Sequence, residues 1–236
     1  ARVLKVVNSS FYGFSRQVCS VRDAIVLIGF NAIKNIAIAT SFDKLFHADC
    51  TVPGFATSEL LNHSLAVANV AKEIARMHRL EDEGQAFMAG LIHDIGIIVE
   101  LQTCGRAFAT AFSHFVEGRY DTLCEAEMDA IGATHEDFGG TLCCMWNFPP
   151  SLEAVARFHH RPNHAPAEHQ VLTAIVYLAD VMSSAIDNGA SEHPDGLGVD
   201  MDMIASLHLS QTDLKSLEKS VAEKMLEIND LFGAIA

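Results

Sequence analysis

Hydrophobic positions return every three or four residues along most of the chain, the spacing that gathers side chains onto one face of an α-helix. In ELLNHSLAVANVAKEIA, residues 59–75, the stripe runs through Leu60, Ser64, Val67, Ala71 and Ile74, with Lys72 and Arg76 off it and His63 beside it. This pattern predicts a helix opening at Thr57 or Ser58, and a second start lies at Ser20, where acidic Asp23 follows three residues later. Further helices are predicted over 31–46, 83–93, 105–116, 121–131, 135–146, 151–160, 167–187 and 211–231. Stops fall at Gly13, Gly29, Pro53-Gly54, Gly118, Pro149-Pro150 and Pro162. Alternating runs bounded by turn pairs are scarce, so the fold class expected is all-α.

Two turn-rich stretches, 47–58 and 191–200, divide that plan. The expected organisation is an N-terminal helical lobe over 1–55, a larger helical bundle over 56–190, and C-terminal helices over 191–236 that pack on the bundle. The chain opens within an element, so the first lobe is expected to be truncated and neighbouring domains to belong with it.

Composition narrows the class. Of 236 residues, 50% are hydrophobic and 19% charged, against about 25% charged in an average globular protein. The apolar stretch AIVYLADVMSSAI, 174–186, is too short for a span of about 20 residues and carries an aspartate, so no membrane segment is expected. The six cysteines are scattered and lack C-x-x-C spacing, which fits reduced thiols in a cytoplasmic protein. Net charge is −14. Residues 1–55 carry six Lys/Arg against three Asp/Glu, residues 56–186 seven against seventeen, and residues 187–236 three against ten. No basic stripe exists to neutralise phosphates, which argues against direct DNA or RNA binding.

Candidate chemistry collects in the middle of the chain. His63 borders the inward face of its helix, as a metal ligand or as a core histidine satisfied by a hydrogen bond. His93 and Asp94 interrupt the oily run AGLIHDIGIIVEL, 89–101. Neighbouring side chains on a helix diverge by about 100°, so the two serve one ion only at a helix end or bend, for which Gly96 is suited. The alternative for Asp94 is simple capping. Asp180 is the sole carboxylate in its thirteen-residue apolar run, where it needs an Arg partner or a metal ion, and basic residues are few nearby. His135 opens a helix whose apolar face includes Phe138, Leu142 and Trp146, and His159 and His160 end another before Pro162.

Imidazoles and carboxylates without thiolate suit iron, zinc, manganese or nickel as divalent ions. His63, His93, Asp94 and Asp180 would hold one ion. His135, His159 and His160 would hold a second, bridged by Asp94, or orient ligands from behind. His47, His78, His114, His164, His169, His193 and His208 have no comparable setting and are expected to be surface or structural.

The order His63, His93-Asp94, Asp180 resembles the HD superfamily of metal-dependent phosphohydrolases. One branch is closer. NSSFYG (8–13), SVRDAIVLIGF (20–30), NHSLAVANVA (62–71), AFMAGLIHDIG (86–96), WNFPPSLEAVARFHH (146–160) and YLADVMS (177–183) together resemble an HDOD domain, the HD-related output domain of bacterial signalling proteins. The resemblance implies an HD-like helical bundle with an N-terminal helical lobe, serving regulation through protein partners. Relative to HD-GYP cyclic-di-GMP phosphodiesterases, Ile97 stands where a lysine is usual, and HHRPNHAPAEHQ replaces the GYP-containing loop. Phosphodiester hydrolysis needs cationic groups or amides for the developing charge. Only Arg161 lies near the motif as a substrate-binding candidate, and Asp94 would be the catalytic residue. A signalling module with a retained metal site is therefore the first expectation, and a nucleotide or cyclic-dinucleotide phosphohydrolase the second.

Overall fold

The second helix forms where the chain supplies caps. The computed structural model describes residues 2–8, 14, 17–30, 33, 37, 52–80, 82–187, 207, 209, 210, 212–217 and 219. Helix α1 spans Arg2–Val7 and α2 spans Val21–Ile28. The Ser20 hydroxyl accepts from the Asp23 amide, and Gly29 ends α2 at φ 87°, so both sequence signals act there. Val7, Val18, Ala24 and Ile33 make a small apolar cluster of their own. Of the helix expected over 31–46 only residues 33 and 37 are described, both helical; the stop at Gly13 lies outside the described residues, as do most of 188–236, and within the helix expected over 211–231, residues 212–217 and 219 are helical.

The bundle follows. Helix α3 is Thr57–Met77, α4 Glu83–Ile92, α5 Ile95–Val116, α6 Leu123–Ala130, α7 His135–Met145, α8 Pro150–Phe158 and α9 Gln170–Asp187, with 3-10 turns at Pro162–His164 and Ala167–His169 before α9. Among the described residues the only extended pairing is a single bridge between Val52 and Phe55, so the fold is all-α. Helix α3 packs along α4 and α9, α5 against α6 and α7, and α7 against α8. A continuous apolar core runs through Leu65, Ile74, Leu91, Ile92, Phe108, Val155, Ile175 and Leu178. Burying such side chains contributes about 1.5–3 kcal/mol each before entropy is counted.

Helix α3 begins at Thr57, one of the two expected starts, behind Ala56, which makes no side-chain cap. Elsewhere the structure differs from the sequence expectation. Helix α5 starts at Ile95, ten residues ahead of the expected 105, and is only bent at Cys104 (φ −137°, ψ 36°). Gly96 is not a breaker there. A Cβ at that position would collide with the His135 carbonyl oxygen, so the glycine is what lets α5 lie against the start of α7. Finally Trp146 caps the C-terminus of α7 and is 48% exposed, packed edge-on to Phe148, rather than part of an inward face.

The apolar run through α4 and α5 has the length and composition of a membrane span, but most of its apolar segment is buried inside the bundle and it turns at His93-Asp94. Core helices pass that test equally well.

Candidate metal centre

Close helix contacts set the site. Gly90 brings α4 so near α3 that a Cβ on it would lie 2.8 Å from Ala68 Cα, and the rings of His63 on α3 and His93 then stand 5.4 Å apart. His93 closes α4 in helical geometry (φ −53°, ψ −43°), while Asp94 leaves it (φ −94°, ψ 16°). That turn removes the angular divergence of neighbouring side chains, and His93 Nε2 comes 3.2 Å from Asp94 Oδ2. Helix α7 is started by a capping box between Thr134 and Asp137, which places His135 at its first position beneath Gly96. His159 and His160 occupy the turn after α8, and Asp180 projects from α9.

All seven side chains singled out in the sequence meet. On one side, His63 Nε2 is 3.0 Å and His93 Nε2 3.9 Å from Asp180 Oδ1, which also accepts a hydrogen bond from Ser184 at 3.3 Å. On the other, His159 Nε2 and His135 Nε2 approach Asp94 Oδ1 to 3.3 and 3.6 Å, and His160 Nε2 lies 3.0 Å from His135 Nε2. His160 Nδ1 is 4.0 Å from Asp180 Oδ2, joining the two sides. The potential ligand atoms of His63, His93 and Asp180 lie within 4.8 Å of one another, as do those of Asp94, His135, His159 and His160. No arginine or lysine pairs with Asp180 among the described residues; its partners are the imidazoles and Ser184.

The hydrogen bonds on the far side of the rings fix what faces inward. His93 Nδ1 donates to the Gly90 carbonyl at 2.7 Å and His159 Nδ1 to the Val155 carbonyl at 3.2 Å. His135 Nδ1 donates to the Glu127 carboxylate, 2.8 Å from Oε2, and the His135 amide donates to the same oxygen at 2.9 Å. Carbonyls and carboxylates only accept, so each Nδ1 carries its proton and each Nε2 faces the Asp94 oxygens either with a second proton or with a lone pair. His93 Nε2 is fully buried and makes no hydrogen bond. Lone pairs facing carboxylate oxygens and one another at these distances repel unless something positive lies between them: a proton on each ring, or a metal ion. The donor set and its orientation therefore fit a divalent ion.

The electrostatics agree. Burial alone would raise the pKa of the Asp94 carboxyl, yet His93, His159 and His135 hold it well below the usual carboxylate range. Burial likewise opposes, and His63 and His93 outweigh, the effect at Asp180, which is also lowered. Burial would lower His135, but the Cys124 thiol and Glu127 push it well above the ordinary histidine value. Burial of its ring nitrogens, with His159 and His135 beside it, keeps His160 well below that value. Two ionised carboxylates at the centre suit a cation.

Two glutamates that the sequence reading passed over support the site. Glu127 backs His135, as described. Glu136 is buried at the start of α7; its Oε1 accepts from the His160 amide at 3.1 Å, and its Oε2 accepts from Arg161 Nε at 3.1 Å and Nη2 at 2.8 Å. Arg161 is thus anchored to Glu136, with about half of its side chain exposed. Ile97 is buried in the apolar core. The remaining described histidines lie elsewhere: His78 Nδ1 bonds the Leu207 carbonyl, His114 stacks on Tyr120, and His164 and His169 sit in the 3-10 turns, while His47, His193 and His208 lie outside the described residues.

Comparison with known proteins places this arrangement. A curated protein of Treponema pallidum (strain Nichols), uncharacterised, is 21% identical over 192 residues; the match takes in 78% of this chain but 35% of the relative, so the chain spans about a third of its length. An HDOD domain protein of unknown function from Geobacter sulfurreducens has the same fold, with a TM-score of 0.79 at 24% identity, over 98% of this chain and 80% of that one. A candidate signal transduction protein from Marinobacter aquaeolei VT8 superposes with a TM-score of 0.81 at 20% identity, over 99% of this chain and 51% of that one. A candidate phosphohydrolase from Shewanella amazonensis SB2B gives 0.74 at 22%, over 100% and 82%. Residues 1–162 match the HDOD domain family, and the chain belongs to it.

Proposed function

We propose that this HDOD domain is a cytoplasmic bacterial signalling module that binds one or two divalent ions and acts through partner proteins rather than by hydrolysis. The observation that carries the metal part is the buried, unbonded His93 Nε2 aimed at Asp94 among imidazoles whose other nitrogens are already committed. His63, His93, Asp94 Oδ2 and Asp180 would hold one ion, and Asp94 Oδ1, His135, His159 and His160 the other. Bound ions of this kind supply Lewis acidity and lower the pKa of water.

The regulatory part is supported by what surrounds that centre. Charge developing on phosphoryl oxygens needs free cations or aimed amides. Arg161 is held by Glu136, and Ile97 is a core residue. Residues 56–186 carry ten more acidic than basic side chains, a field that repels an anionic substrate. The described cysteines are all free thiols, which suits a reducing compartment. The ions would then cross-link α3, α4, α7, α8 and α9, tying their relative positions to occupancy.

The second reading, a metal-dependent phosphohydrolase with Asp94 as catalytic residue and Arg161 on substrate, draws on the partial openness of His160 and on the name of the Shewanella relative. The two are separated by incubating Mn2+-, Fe2+- or Zn2+-loaded protein with mononucleotides and cyclic dinucleotides. The regulatory module shows no turnover above about one per hour, far from the ~1–10^3 per second of working enzymes. Enzyme-like turnover that Asp94→Ala abolishes would establish the hydrolase instead.

A further inference from the structure

Glu100 lies on α5, six residues after Asp94, and is completely buried. Neither of its oxygens meets a hydrogen-bond donor. The neighbour it reaches is Glu127, whose carboxylate is itself fully buried and already engaged by the ring and amide of His135. Two buried carboxylates side by side cannot both stay ionised at neutral pH, and neither can donate to the other unless one carries a proton. Glu127 already accepts two N–H donors from His135, whereas neither oxygen of Glu100 accepts any. The proton belongs on Glu100.

We infer that Glu100 is a positioning residue: a neutral carboxylic acid that donates its O–H to Glu127, pinning that carboxylate on His135 Nδ1 and thereby aiming His135 Nε2 at Asp94. The resulting line runs Glu100, Glu127, His135, Asp94 across α5, α6, α7 and the α4–α5 turn. Unlike His93 and His159, which are oriented by carbonyls of their own helix, His135 is the first residue of α7 and has no preceding turn to bond. An outside acceptor must do this, and an acceptor held by one more proton is fixed in place.

The groups facing Glu100 agree with this assignment. Burial is the largest influence and raises its pKa, Glu127 raises it further, His135 lowers it, and Asp94 adds a smaller increase, leaving it at about 9. Cys124, 3.9 Å from the same His135 nitrogen, stays a thiol because burial pushes it up, so it adds no competing negative charge.

The test uses infrared spectroscopy of the ion-free chain and Mn2+ titration of three proteins. At pH 7 the wild type shows the carbonyl band of a neutral carboxylic acid, shifted in D2O and absent in Glu100→Gln. No such band in the wild type overturns the inference. Glu100→Gln keeps an N–H donor to Glu127 and binds Mn2+ within about threefold of wild type, whereas Glu100→Leu keeps the volume without a donor and binds about tenfold more weakly. Wild-type affinity in Glu100→Leu, or equal impairment in both variants, also overturns it. The affinity readout rests on His135 as an ion ligand; if none of the three proteins binds Mn2+, that reading fails while the infrared band still decides the protonation of Glu100.

Discussion

The two sides of Asp94 are built differently. On the His63, His93 and Asp180 side, His93 is oriented by a carbonyl one turn back in its own helix, and Asp180 is steadied by Ser184 four residues on. On the His135, His159 and His160 side, His159 also leans on a carbonyl of its own helix, but carboxylates stand behind the other two residues: Glu127 under His135, and Glu136 under the His160 amide and Arg161. The first side inherits its geometry from helix regularity. The second lies at helix ends, where regular backbone bonds run out, and extra carboxylates replace them. A carboxylate behind an imidazole also raises its basicity, so His135 competes harder for a cation and for protons alike.

The comparison is broken most completely at the residue the two sides share. Asp94→Ala is expected to abolish stoichiometric Mn2+ binding, read by isothermal titration, because both sides lose the carboxylate they share. Next in size is the effect of ligands private to one side. His93→Ala and His135→Ala are each expected to weaken binding about a hundredfold at their own side and leave the other within about threefold, so a two-step titration loses a different step in each variant. A common loss in both would show that the sides act as a single site.

Gly96 tests whether close approach of α5 and α7 holds the sides together. Gly96→Ala forces a Cβ into the His135 carbonyl oxygen, and since backbone cannot yield as a side-chain tip does, a loss of about 3 kcal/mol or more is expected in urea unfolding of the ion-free chain. Glu136→Gln should do less. It weakens the bond to Arg161 but keeps an acceptor for the His160 amide, giving a decrease in ion affinity of tenfold or less with stability nearly unchanged.

The last expected effect is a slope. Glu100 titrates near 4.5 when unfolded and at about 9 in the fold, so above pH 4.5 the folded chain holds a proton that the unfolded chain releases. Its contribution to stability is full below pH 4.5 and is lost as pH rises through 9. Melting temperature of the ion-free wild type should therefore decline over that window more steeply than that of Glu100→Gln.

Much of this was legible in the sequence because of contrast. His93-Asp94 and Asp180 interrupt apolar runs, where a charge must have a reason, and His63 borders a clear helical stripe. Ser20 and Gly29 announced α2 through chemistry that works locally. What contrast could not supply was position among equals. Glu125, Glu127 and Asp129 look alike in CEAEMD, yet only Glu127 of these is fully buried, a consequence of how α6 meets α7. Glu136 was hidden in the same way within a capping-box sequence. Glu100 did carry the signal, standing alone in IGIIVEL as Asp180 does in its own run, and the same rule would have found it. Gly96 could not be read as a close-packing residue, because its reason is a carbonyl thirty-nine residues away.

The central claim, that this HDOD domain holds a divalent ion between Asp94 and its histidines, is tested most directly by elemental analysis of the native chain purified without chelator, beside Asp94→Ala. A bound ion gives at least about one equivalent of iron, zinc, manganese or nickel per wild-type chain, removable by chelator, and close to none in Asp94→Ala. Wild-type protein with no metal, and none taken up on incubation with each ion, would contradict it and leave protons alone to hold the cluster together.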